Sequence, residues 1–137
     1  MSIKVSIIGS RPAAAQGVSR DVSAVDVGAD VQSQVGNVEA VCLEVLKSRP
    51  DIVVAEVPKL GGRDLEQIGS ALASQPATTM ILLTADRSPD TLLGAMRAGI
   101  REVVPMPLVN GEFKEAYARQ LERLNAARGG RRTDGRV

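Results

Sequence analysis

Histidine is absent from all 137 residues, and with it go the commonest general base, the commonest metal ligand and every triad built on an imidazole. The single cysteine, Cys42, cannot form an internal disulfide, and its place in the middle of an apolar helical stripe marks it as an inert core thiol. Aromatic residues are limited to one Phe and one Tyr, which removes the stacking platforms on which single-stranded nucleic acid is bound. Neither sign of charge dominates: 17 basic against 16 acidic residues leave +1, no field to draw in nucleic acid. The longest unbroken apolar runs span about half a dozen residues, far short of the roughly 20 that cross a bilayer. No charged leader with a cleavage site precedes Ile3, so a soluble chain in a reducing cytoplasm is expected. The pairs Gly61-Gly62 and Gly129-Gly130 lack the Lys-Ser/Thr of a phosphate-binding loop, and no G-x-G-x-x-G occurs. No nucleotide site or other cofactor is expected.

What the chain does have is 44% hydrophobic residues, enough for one core and one domain. Apolar runs of strand length alternate with segments of helical period, the pattern of a parallel sheet covered on both faces. The strand-like runs are Lys4 to Ile8, about Ala29 to Val35, Ile52 to Glu56, Met80 to Thr84 and Glu102 to Val104. The first stops at Gly9-Ser10, and Arg11-Pro12 opens a helix with Val18, Val22 and Val25 on one stripe. Asn37 is placed to cap a helix whose inward face reads Val38, Val41, Cys42, Val45 and Leu46. Pro50 ends it. A helix after Gly61-Gly62 carries Leu65, Ile68 and Leu72 inward. Ser88-Pro89-Asp90 is a strong start signal for a helix that ends at Gly99, with Leu92, Leu93 and Met96 expected inward. Pro105 and Pro107 close the last strand before a helix from about Asn110, with Phe113, Tyr117, Leu121 and Leu124 on one stripe. From Gly129 to Val137 apolar periodicity ceases and the text reads as a linker.

The runs at Val5 to Ile8, Ile52 to Glu56, Met80 to Thr84 and Glu102 to Val104 resemble the strands of a response-regulator receiver domain. That resemblance implies a flavodoxin-like (CheY-like) α/β/α sandwich with strand order 2-1-3-4-5. It also locates a degenerate phospho-acceptor pocket. Where the family places two adjacent acids that hold Mg²⁺, this chain has Gly9 and Ser10; where it places the acceptor Asp, this chain has Glu56. Thr84-Ala85 keeps the family's Thr-Ala pair, but Met106 replaces the Lys before Pro107 and Val103 replaces the aromatic switch. Mg²⁺ usually relies on at least one or two protein carboxylates, and Glu56 alone, one methylene longer than Asp, is displaced from near-attack geometry. No catalytic residue and no metal are therefore assigned. Glu56 is expected to be a strand-end acid, solvated at the sheet edge or paired with Lys59 or Arg11. A phospho-mimic is the alternative, opposed by Met106, which cannot pair with it, and by Val103, which cannot rotate as a switch. Thr84 is read either as part of the pocket or as a hydroxyl that satisfies the strand end.

The run Leu82-Leu83-Thr84-Ala85-Asp86-Arg87-Ser88-Pro89-Asp90, with Ala95-Met96-Arg97-Ala98-Gly99-Ile100-Arg101-Glu102-Val103-Val104-Pro105, is similar to the N-terminal atypical receiver of the TadZ/CpaE proteins of Flp (Tad) type IV pilus assembly. The resemblance implies a pseudo-receiver over residues 1–128 and a linker over 129–137 toward a ParA/MinD-like ATPase domain outside this chain. It implies a non-enzymatic interaction module for localisation or self-association, a homodimer with other pilus assembly proteins as partners, no nucleic acid, no membrane span and a place in the cytoplasm, at the pole through the pilus machinery. The competing expectation is an atypical receiver in two-component-like signalling, with Glu56 as phospho-mimic or residual acceptor. The expected self-association face is the helix from Ser88, the fifth strand and the last helix. Ala95, Met96 and Ala98 form its centre, and Arg97, Arg101, Glu102, Glu115, Arg119 and Glu122 its charged rim.

Overall fold

A computed structural model describes residues 2–108 and 111–136, with side chains through residue 128. In chain order the elements are β1 (Lys4–Gly9), α1 (Pro12–Val25), β2 (Asp30–Val35), α2 (Val38–Ser48), β3 (Ile52–Glu56), α3 (Asp64–Ser74), β4 (Thr79–Thr84), α4 (Pro89–Arg97), β5 (Glu102–Pro105) and α5 (Glu112–Arg136). The five strands are all parallel and ordered β2-β1-β3-β4-β5, as expected. The start and stop chemistry works as the sequence suggests. Asn37 accepts a hydrogen bond from the Ala40 N–H, and Ser88 from the Thr91 N–H. Pro12 and Pro89 occupy first turns, and Pro50 sits between α2 and β3.

Strand side chains alternate across the sheet, so the continuous apolar runs feed two cores. Val5, Ile7, Ile52, Val54, Ile81 and Leu83 face α1 and α5, where they meet Val18, Val22, Phe113 and Tyr117. Ile8, Val53, Ala55, Met80 and Leu82 face α2, α3 and α4, against Val41, Val45, Ile68 and Ala95. Strand β2 is the polar exception: at the edge of the sheet, its Asp30, Gln32, Ser33 and Gln34 are exposed.

Two helical stripes differ from expectation. In α2 the buried line is Val38, Val41 and Val45; Cys42 is only half-buried and Leu46 is exposed on the flank. In α4, Leu92, Leu93 and Met96 face solvent, Met96 at 71% exposure, and Ala95 is the buried residue. The cause is the close approach of α3 to α4. A Cβ on Gly69 would lie 3.3 Å from that of Ala98, and a Cβ on Gly94 would lie 2.8 Å from Leu65 Cδ1. Only small side chains fit the inward line Thr91, Ala95, Ala98, so the large ones are rotated outward. In α5 the helical backbone continues through Gly129 and Gly130 to Arg136, where the sequence reads as a linker. Extending a helix already nucleated costs only about 1 kcal/mol per glycine, less than starting one. Asn110 and Val137 lie outside the described residues.

Candidate functional site

Gly9, Glu56 and Thr84, expected to belong to a degenerate pocket, lie at the carboxyl ends of β1, β3 and β4, the end at which open parallel sheets bind ligands. Glu56 ends β3, which lies in the middle of the sheet between β1 and β4, so the residue is 4% exposed rather than solvated at an edge. Its Oε1 accepts a hydrogen bond of 2.6 Å from the backbone N–H of Ser10. Neither Lys59 nor Arg11 pairs with it; the ion pairs among the described residues are Arg119–Glu102 and Arg128–Asp51. The expectation of a solvated or salt-bridged Glu56 is thus corrected. A charge-assisted bond from a strand-end amide satisfies the carboxylate, and buried β3 geometry turns it toward β1.

Gly9 is closed to side chains. A Cβ there would lie 2.8 Å from the backbone nitrogen of Ala15 and 3.1 Å from its Cα, because the first turn of α1 packs directly on the end of β1. An acid cannot stand at this position without moving the helix. Thr84 is buried; its hydroxyl donates to the Pro58 carbonyl at 3.3 Å and accepts from the Asp86 N–H at 3.2 Å. Its hydrogen bonds thus serve the loops after β3 and β4. Asp86 in turn accepts from the Ser88 N–H and the Thr91 hydroxyl, which hold its carboxyl below the usual carboxylate range and pin the start of α4. Val103 is half-buried against the α2–α4 core, and Met106 packs on the α1/α5 core.

Two grooves flank Glu56. One, of about 510 Å³, runs past Ser10, Asn37, Lys59 and Asp64; the other, of about 450 Å³, past Arg11, Arg20, Leu83 and Met106. Among the described residues, no group of three or more Cys, Asp or Glu side chains converges as metal ligands do. Cys42 lies elsewhere, in the α2–α3 groove, where burial and then Asp64 and Glu39 push its thiol pKa up and keep it protonated.

The expected self-association face is divided by the structure. Ala95 is fully buried under α4 and cannot be its centre; Met96 remains, with Leu92 and Leu93 beside it. Arg119 donates two hydrogen bonds to Glu102, at 3.0 and 2.9 Å, and Gln120 donates a third at 2.8 Å. These partners hold the Glu102 carboxyl below the ordinary glutamate range despite its burial. Arg97 and Arg101 instead line a groove between α3 and α4, joined by Arg123, which the sequence pattern did not single out. Glu115 and Glu122 stay exposed on α5.

The fold is that of the response-regulator receivers. A CheY-like receiver from Methanospirillum hungatei superposes with a TM-score of 0.75 at 14% identity, covering 90% of this chain and 96% of its own. Among the structures of this fold, two from pilus assembly proteins are similar in sequence as well. The chain is 26% identical to a pilus assembly protein (CpaE) from Burkholderia thailandensis, with a TM-score of 0.77 over 88% of this chain and 98% of that one. A pilus assembly-related protein from Burkholderia pseudomallei is similar at 26% identity, with a TM-score of 0.76 over 86% and 88% of the two chains. No protein-family model and no curated protein matches the chain.

Proposed function

We propose that this chain is a phosphorylation-independent receiver module of a Flp/Tad-type pilus assembly protein, serving as a surface for self-association and placement rather than as a phosphoryl switch. The observation that carries the reading is the hydrogen bond from Ser10 N–H to Glu56. The residue at the acceptor position spends its carboxylate on the protein's own backbone, with Gly9 and Ser10 where a receiver needs acids. A phosphoryl group arriving at Glu56 would have to displace that bond, without a metal ligand set to neutralise it and without a Lys at Met106 to report it.

Treatment with acetyl phosphate and Mg²⁺, followed by intact-mass measurement, is expected to add nothing. Calorimetric titration is expected to give a Mg²⁺ affinity no tighter than about millimolar. A phosphoryl adduct that disappears in Glu56→Gln would replace this reading with a signalling one.

Self-association is assigned to the outer face of α4, where Leu92, Leu93 and Met96 form an apolar strip exposed at 42, 47 and 71%. In a two-fold pair the same strip is used twice, so a short helix suffices to begin an interface.

A further inference from the structure

The groove between α3 and α4 runs down to the starts of β4 and β5, at the opposite end of the sheet from Glu56, and has a volume of about 800 Å³. Small residues line it on both sides, Gly69, Ser70 and Ala73 from α3 and Gly94, Ala98 and Gly99 from α4 and its end. Its floor includes Leu72 and Pro76.

Around this floor stand Arg97, Arg101 and Arg123, all exposed, against one acid, Glu66. None of the three arginines forms an ion pair with a described residue. Arg123 donates only to the Gln120 side chain, at 3.3 Å. The nearby Glu102 does not neutralise them, because Arg119 and Gln120 already occupy it. A concave strip with an apolar floor and guanidinium groups along its rim matches an extended partner that alternates carboxylates with apolar side chains: each carboxylate can accept two parallel hydrogen bonds from an arginine.

We propose that this groove is a docking site for an acidic segment of another protein. Its carboxylates would pair with Arg97, Arg101 and Arg123, and an apolar side chain between them would pack on Leu72 and Pro76. The shape argues against a bilayer, whose flat surface does not reach the floor of a concave seam. The aromatic residues argue against nucleic acid: Phe113 and Tyr117 are buried at 2% and 0% exposure and offer no base a stacking surface. The site is separate from the α4 strip proposed for self-association, since Leu92, Leu93 and Met96 do not line it.

The test is a fluorescence anisotropy titration with a labelled synthetic peptide of alternating Glu and Leu. Wild-type protein is expected to bind it saturably and more weakly as salt rises. The triple variant Arg97→Gln, Arg101→Gln, Arg123→Gln is expected to lose about tenfold or more in affinity. A charge-matched control, Lys47→Gln, Arg87→Gln, Lys114→Gln, removes three exposed cations elsewhere and is expected to bind as wild type; thermal melts establish that both variants fold. The proposal is overturned if wild-type protein shows no saturable binding, or if the control loses as much as the triple variant. It is equally overturned if phosphatidylglycerol vesicles, and not the peptide, are what the three arginines retain, which would make the groove a membrane contact. A shift in sedimentation confined to the triple variant would assign the groove to a second copy of this chain and also sink it.

Discussion

The Glu56 carboxylate and the Ser10 backbone N–H, 46 residues apart in sequence, meet at 2.6 Å across the ends of β3 and β1. The bond links the ends of two neighbouring strands, at the positions where the receiver resemblance leads one to expect an acceptor and metal-binding acids. Glu56→Gln keeps an oxygen for the Ser10 amide and is expected to cost under about 1 kcal/mol, whereas Glu56→Ala removes the acceptor and should cost about 1–3 kcal/mol. Urea denaturation of both variants measures the difference; equal losses would mean that the hydrogen bond contributes nothing.

Restoring a receiver's acid at Gly9 should fail for a steric reason. The nearest obstacle to a Cβ is the backbone of Ala15, which cannot rotate away as a side chain can. Gly9→Ala is expected to destabilise the fold by about 1–3 kcal/mol, and Gly9→Asp by at least as much. A Gly9→Asp protein as stable as wild type, with Mg²⁺ bound tightly, would contradict this packing.

The Arg119–Glu102 pair has a pH signature. The Glu102 pKa is lowered in the folded state, so its contribution is present above the unfolded glutamate value, near 4.3, and is lost as pH falls through the lower folded value. With the Arg119 side chain 58% exposed, solvent screening limits the pair to about 1 kcal/mol or less. Arg119→Gln should therefore lower stability slightly at neutral pH and flatten the acid limb of the stability curve, with the two curves converging at low pH. Parallel curves would show that the pair has no electrostatic role.

Tyr117 is the chain's single tyrosine, so ultraviolet titration reports it alone. Burial, then the charge of Asp26 and the hydrogen bond its hydroxyl donates to Asp26 at 3.2 Å, push its pKa well above the ordinary tyrosine value. The folded state thus retains its proton where the unfolded state loses it, and stability should fall as pH rises past about 10. Tyrosinate should appear only with unfolding. Ionisation of a folded chain near the ordinary value would refute this burial.

Self-association through α4 predicts that Met96→Asp leaves the thermal melt nearly unchanged, since the side chain touches solvent, while shifting sedimentation toward the monomer. A wild-type protein that is monomeric at high micromolar concentration would remove this surface from the proposed function.

Local sequence determined most of the frame. Runs such as Ile52 to Ala55 and Met80 to Leu83 are apolar throughout because both faces of a central parallel strand are buried; Asn37 and Ser88 mark helix starts through hydrogen bonds made within one turn, and Pro12 and Pro89 through a φ already fixed near the helical value. Strand β2 was faint because an edge strand has one ladder to satisfy and little to bury. The residues expected for a degenerate pocket, Gly9, Glu56 and Thr84, fall at the ends of β1, β3 and β4 because the apolar runs that precede them fix where those strands stop. The partner of Glu56 was not legible: a backbone N–H leaves no trace in a pattern of side chains, and its approach depends on how β1 and β3 align. The outward turn of Leu92, Leu93 and Met96, and the gathering of Arg97, Arg101 and Arg123 around one groove, were likewise decided only in three dimensions. Periodicity says that a helix has an apolar side, but the spacing of the neighbouring helix selects which residues can face it, and here the Gly69–Ala98 contact admits only the smallest.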